Sequence, residues 1–257
     1  MRSPVPLLSR RLTTPTHNLM PHQGLFLCVH LVLARKIACP AYNFIWENTP
    51  YFWKEEAVAE RSEEIKQLAD GATTNKKKLA ELVKQLSGAS RRDRQIAASA
   101  IHQVAKANAS RLVDHTDVLI DALNRPEAQT RWESLEALAL MVEHDSRTCS
   151  KAIPEAETAL FDEESGPVRL AAMRFLCKLG ATTAARSEKV WPLIDEGIQC
   201  YHGDLEFNDM LIAITDFSTG KLSDQVKEEL KGRMSFDATN GKGSLQRKAQ
   251  AIIDNLG

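Results

Sequence analysis

The 257-residue sequence predicts an all-α fold, an α–α superhelix (solenoid) of about five stacked helix pairs. Three observations predict it. One helical apolar pattern recurs five times at a nearly constant interval, the mark of a repeat architecture. A second helical pattern precedes the first four copies at the same interval. Strand-like runs of Val, Ile and Thr are absent and aromatics make up only 6% of the chain, so the usual signals of a sheet are missing.

The recurring pattern is clearest in Gly166–Leu179. With Arg169 as phase zero, offsets three, six, seven and ten give Ala172, Phe175, Leu176 and Leu179, one face of a helix. The same offsets from Arg94 give Ala97, Ala100, Ile101 and Val104, and from Arg131 they give Ser134, Ala137, Leu138 and Met141. From Phe207 they give Met210, Ala213, Ile214 and Phe217, and from Gln246 they give Ala249, Ile252, Ile253 and Leu256. The phase positions lie 37, 38, 38 and 39 residues apart. We call these the B helices. The preceding A helices are phased by Leu86, Leu123, Leu160 and Ile198, with Leu82, Leu119, Ala156 and Ile194 one turn earlier. Neither helix of a pair can hide its apolar stripe alone, so neighbouring pairs must stack into one core.

In chain order, residues 1–53 are read as an N-terminal extension, disordered or begun at a start placed too far upstream. Six prolines break it, and Leu25–Ala34 is apolar over only ten residues, half of what a membrane span needs. Residues 1–46 hold five basic side chains and no acid, a composition shared with organelle transit peptides. Tyr42–Trp53 gathers six aromatics, expected to cover the first exposed end of the solenoid. Residues 54–71 are read as a capping helix with a narrow stripe of Val58, Ile65, Leu68 and Ala69, ended by Gly71.

Residues 72–257 are the repeat domain. Lys76–Lys78, Arg91, Arg92 and Arg94 form its main basic concentration and are read as a solvated helix end. Ser110 and Ser187 are expected N-caps of A helices, and Gly180 an expected C-cap. Asn240–Gly243 is the expected turn between the last two helices.

Prolines in the A helices (Pro154, Pro192) and the Pro167-Val168-Arg169-x-x-Ala172 opening of a B helix resemble the HEAT repeats of the armadillo-like superfamily. The resemblance covers about residues 75–257. It implies that the B helices line the concave side. It also implies an Asp six residues before each phase arginine, forming a ladder between repeats. Those places hold Gly88, Arg125 and Glu163, so only one unit is expected to keep that ladder.

A B helix turns about 100° per residue, so offsets two, five and nine are expected to point away from the buried stripe. These are Ile96, Ser99 and Gln103; Glu133, Glu136 and Leu140; Ala171, Arg174 and Lys178; Asp209, Ile212 and Asp216; Lys248, Ala251 and Asn255. Gln103, Glu133, Glu136, Leu140, Arg174, Lys178, Asp209 and Asp216 are the candidate partner-binding residues. Their mixed charge with apolar members suits a protein or peptide surface.

Composition narrows the functional classes. The other 28 basic residues beyond position 46 face all 34 acids, a net charge of −6, which disfavours a phosphate-binding surface. The five cysteines include no CxxC and form no zinc-spaced set, and Cys177 reads as a small core residue in a reducing compartment. Phosphate-loop, HExxH and GxSxG motifs are absent. One stretch, Trp132-Glu133-Ser134-Leu135-Glu136, is similar to the Trp-Asp-x-x-Asp stretch of HEAT-like DNA glycosylases that excise alkylated purines. That resemblance would make Glu136 the acting acid and Trp132 the stacking ring. Arg169 or Arg174 would sit on a phosphate, with Trp191 as a second aromatic. The favoured expectation is a non-catalytic, cytoplasmic scaffold or adaptor. It would need no cofactor or metal, would not bind nucleic acid, and would hold a protein partner on its concave face.

Overall fold

The B-helix pattern requires a row of helices that each bury one face against two neighbours, and this is the arrangement found. The computed structural model describes residues 50–257, with side chains from Val58 onward. Residues 1–49 of the expected extension lie outside the described residues, and so do the side chains of Tyr51–Trp53, so the expected cover by Tyr42–Trp53 falls outside them too.

Eleven α-helices are described: α1 (Pro50–Thr74), α2 (Lys76–Gln85), α3 (Arg91–Asn108), α4 (Thr116–Ala122), α5 (Ala128–Cys149), α6 (Ile153–Leu160), α7 (Gly166–Gly180), α8 (Ala184–Tyr201), α9 (Phe207–Ser218), α10 (Asp224–Asn240) and α11 (Gly243–Leu256). Helices α3, α5, α7, α9 and α11 are the five B helices, and each packs on the next. Helices α2, α4, α6, α8 and α10 are the A helices, one before each. No strand occurs among the described residues.

Both apolar stripes are buried as expected. Ala172, Phe175, Leu176 and Leu179 of α7 are fully buried, as are Ala97, Ala100, Ala137, Leu138, Met141, Met210 and Ile214 on its neighbours. The A-helix positions Leu82, Leu86, Leu119, Leu123, Ala156, Leu160, Ile194 and Ile198 are buried too. One continuous core runs from Ile65 in α1 to Ile252 in α11. The last helix is covered on one side only, and there Ile253 and Leu256 are half-buried.

Polar side chains start several helices by accepting from otherwise unpaired backbone N–H groups. Asn75 caps α2, Ser90 caps α3, Thr183 caps α8 and Ser223 caps α10. Two serines differ from the sequence expectation. Ser110 lies inside a 3₁₀ helix, Ala109–His115, where its hydroxyl donates to Asn108; α4 begins only at Thr116. Ser187 sits one turn inside α8, buried, donating to the Ala184 carbonyl and accepting from the Ser223 N–H at 3.0 Å. It therefore ties α8 to the start of α10.

Two glycines also differ. Gly71 does not end α1, which continues to Thr74 because Ala72 is fully buried and anchors the extra turn. Gly180 is the last residue of α7 and is held there by space. A Cβ on it would stand 2.5 Å from Val190 Cγ2 and 2.8 Å from Phe217 Cε2. Val58, expected in the buried stripe of α1, is exposed, while Ile65 and Ala69 are buried.

The turns between A and B helices carry a ladder of ion pairs, built from acids at other places than the family pattern implies. Arg94 holds Glu127 of the next turn through Nε at 3.1 Å and through Nη2. Its Nη1 donates to the carbonyls of Gly88 and Ala89 in its own turn. Arg131 holds Asp162 at 2.6 Å. Arg169 holds Glu206 through Nε at 2.7 Å and donates through Nη1 to the Asp162 carbonyl. Each phase arginine thus links its repeat to the following turn, and two of them also pin their own turn. Arg169 also lies over the Tyr201 ring, 5.1 Å from its centroid, at cation–π distance.

The ladder perturbs its acids. Hydrogen bonding to Arg94 holds the Glu127 carboxyl below the usual carboxylate range, against the opposing effect of burial. Burial alone would raise Asp162, but the Arg131 guanidinium and the N–H groups of Ser165 and Glu164 outweigh it and hold it down.

Two outcomes are expected. Leu176→Ala removes a fully buried side chain and should lower unfolding free energy by about 2–5 kcal/mol in denaturant titration. Glu127 is depressed in the folded state, so its contribution is present above its unfolded pKa and is lost as pH falls through the folded value. Between about pH 6 and about pH 3, around the ordinary carboxylate range, the melting temperature of Glu127→Gln should therefore fall less steeply than that of the parent.

Candidate functional site

The faces of the B helices left uncovered by stacking form two adjoining grooves. The first, of about 650 Å³, is lined by α1, α3, α5 and the start of α7. Its apolar floor is Trp132, Leu170, Pro167 and Ile65, with exposed Val58 at the edge. The second, of about 660 Å³, crosses α5, α7 and α9. Its floor includes Leu140, Ala139, Ala213 and half-exposed Ile212.

Seven of the eight candidate residues line these grooves. Gln103, Glu133, Glu136 and Arg174 line the first; Glu136, Leu140, Arg174, Lys178 and Asp216 line the second. Asp209 is exposed and lines neither. Three members of the wider outward set are buried: Ile96, Ser99 and Ala171. At 100° per residue, the lining positions at offsets one, five, eight, nine and twelve centre about 50° from the predicted direction. Each repeat leans on the next, so on α3 and α7 the offset-two positions Ile96 and Ala171 are buried, while Glu133 lines the first groove, Asp209 stays exposed and Lys248 is half-buried. The same rotation brings in groove residues that the offset rule missed. Trp132 and Leu170 lie at offset one, His102 and Ala139 at offset eight, and Lys106 at offset twelve.

Most charges in the grooves are engaged across repeats. Glu133 accepts from Ser99 Oγ at 3.0 Å and pairs with His102 Nδ1, while Gln129 donates to Ser99 and Arg61 donates to Gln129. Burial pushes the Glu133 carboxyl up, but the hydrogen bond and charge of His102, the Ser99 hydroxyl and Lys106 together hold it below its ordinary value. Arg174 donates to Glu136 at 2.7 Å, and Lys178 pairs with Glu143 at 3.0 Å. The Arg174–Glu136 pair lines both grooves and divides them. Further along, Lys248 reaches Asn208 and Asn255 reaches Ser218. Arg61, Lys106 and Asp216 have no ion-pair partner among the described residues.

The glycosylase-like set is only partly brought together. Trp132, Glu136 and Arg174 share the first groove. Arg174 is committed to Glu136, and Arg169 is fixed in the ladder. Trp191 lies on the A-helix side, donating to Glu229 of α10. A phosphate-holding arginine, a free acid and a second aromatic therefore do not converge.

Among the described residues no cluster of three or more His, Cys, Asp or Glu could hold a metal ion. No described helix is long and apolar enough to cross a membrane. Cys149 and Cys177 are buried, and burial raises both thiols, Cys149 to about 12. Neither is therefore a ready nucleophile. Lys76–Lys78 are exposed at the start of α2, whereas Arg94 is buried in the ladder.

Solved structures of the same architecture identify the fold. A designed armadillo repeat protein, solved in complex with the peptide (KR)4, superposes with a TM-score of 0.62 at 18% identity, covering 82% of this chain and 97% of that one. A second designed armadillo repeat protein gives 0.59 at 16% identity, over 75% and 92% of the two chains. An engineered protein gives 0.60 at 15% identity, over 81% and 93%. The fold is an all-α superhelix of the HEAT and armadillo type. No protein-family model and no curated protein matches the chain.

Proposed function

We propose that this chain is a non-catalytic scaffold or adaptor that holds an extended segment of a protein partner along the B-helix face. The observation carrying this reading is the pair of adjoining grooves, which spans α3 to α9 and has apolar floors edged by charged side chains. Solenoids use such extended surfaces for extended partners. A designed neighbour of this fold was solved with a peptide, (KR)4, which supports the reading by analogy of architecture.

Binding would come from burying the apolar floor, with charged edges setting orientation and partner choice. Leu140 and Ile212 are the natural probes, because they line the second groove and remain accessible. Charge reversal at Glu133 is a poorer probe, since it would break the links to Ser99 and His102 between repeats.

The Leu140→Glu and Ile212→Glu double variant should lose the partner proteins retained by the parent in affinity capture. Ile212 is half-exposed, so its change should alter stability by only about 0.5 kcal/mol, whereas Leu140 is partly buried against the core and its change should cost more; thermal melting checks that the double variant stays folded. Unchanged capture would refute the B-helix face as the docking surface. A base-release assay on alkylated DNA should yield no product above a protein-free blank, since the groove's Arg174 and Glu136 are spent on each other.

A further inference from the structure

The unpaired charges in the grooves are sorted by sign along the row of B helices. Arg61 and Lys106 edge the first groove, and Asp216 edges the second. Between them the ion pairs Arg174–Glu136 and Lys178–Glu143 are internally neutral. Beside the His102–Glu133 pair, the first groove holds three basic side chains, Arg61, Lys106 and Arg174, and one acidic one, Glu136. The second holds two basic and three acidic. The face is therefore weakly positive at the α3 end and weakly negative at the α9 end, with apolar floor on both sides of the dividing pair.

We infer that the occupant of these grooves is an extended peptide segment of mixed charge. It would present an acidic residue to Lys106 and Arg61, a basic residue to Asp216, and apolar side chains to Trp132 and Leu170 and to Leu140 and Ile212. The inference deepens the scaffold reading above and rests on it. A uniformly basic segment meets Lys106 and Arg61 at one end, and a uniformly acidic one meets Asp216 at the other. Like charges brought together in a binding face select against the wrong partner.

The dimensions fix the segment's length. Lys106 on α3 and Asp216 on α9 are three helix steps apart, about 24–30 Å at 8–10 Å per step. An extended chain rises about 3.3 Å per residue, so the two charges belong about seven to nine residues apart. The Arg174–Glu136 pair lies near the midpoint and adds no net charge there.

The test uses the full chain and arrays of immobilised nine-residue peptides. One pool carries two basic residues at one end, two acidic residues at the other and randomised apolar or polar residues between. Two control pools carry basic or acidic residues at both ends. The mixed pool should be retained several-fold above both controls. Asp216→Lys and Lys106→Glu should each weaken mixed-pool retention by about two- to fivefold, the range for exposed ion pairs, and raised salt should reduce it similarly. Retention of a uniform pool at or above the mixed pool overturns the inference. So does mixed-pool retention indifferent to both charge variants. If Leu140→Glu with Ile212→Glu still abolishes peptide retention in either case, the docking face survives and only its charge order is wrong. If that double variant leaves every pool unchanged, the scaffold reading fails as well.

Discussion

The structure depends on one constraint: an amphipathic B helix can hide its apolar face only between two others like it. Small residues at the contact make this possible. Ala97, Ala100, Ala137, Ala172 and Ala249 are fully buried, and Gly180 leaves no room even for a methyl group beside Val190 and Phe217. Close approach fixes the step between repeats. The step fixes how far each helix rolls onto the next, and the roll decides which side chains remain uncovered.

Stacking of apolar stripes sets distance but only loosely sets register, because dispersion and burial are non-directional. Direction comes from the turn edge. There Arg94, Arg131 and Arg169 each reach a carboxylate of the following turn. Arginine suits this position because its planar fork can hold a carboxylate and backbone carbonyls together, as Arg94 and Arg169 do. A buried pair of this kind contributes little net stability compared with apolar packing, but leaving one member alone is costly. The ladder therefore acts most strongly against misregistered stacking, in which these arginines would be stranded.

The same engagement of charges shapes the binding face. Glu133, Glu136, Glu143, Arg174 and Lys178 have partners on neighbouring repeats, so the grooves present apolar floor and only a few uncommitted charges. Such a surface favours a segment with side chains to bury over a phosphate backbone, which needs many free cations.

Sequence by itself determined the all-α class, the five helix pairs and the phase of both stripes; its outward-face rule put seven of eight candidate residues along the grooves, though off their centre. These are local or periodic properties: a 3.6-residue helix writes its buried face into the chain wherever the repeat returns. Tertiary structure alone decided the rest. Ile96 and Ala171 fell on the nominally outward side yet are buried, because the roll of one helix on the next has no local signature. The ladder acids Glu127, Asp162 and Glu206 stand four, seven and one residues before their own repeat's phase position. A fixed-offset search passes over them, because turns of different shape bring different residues to the same point in space. Ser187 reads as a cap in sequence and becomes a strut between α8 and α10 once the neighbouring helix arrives to use its hydroxyl.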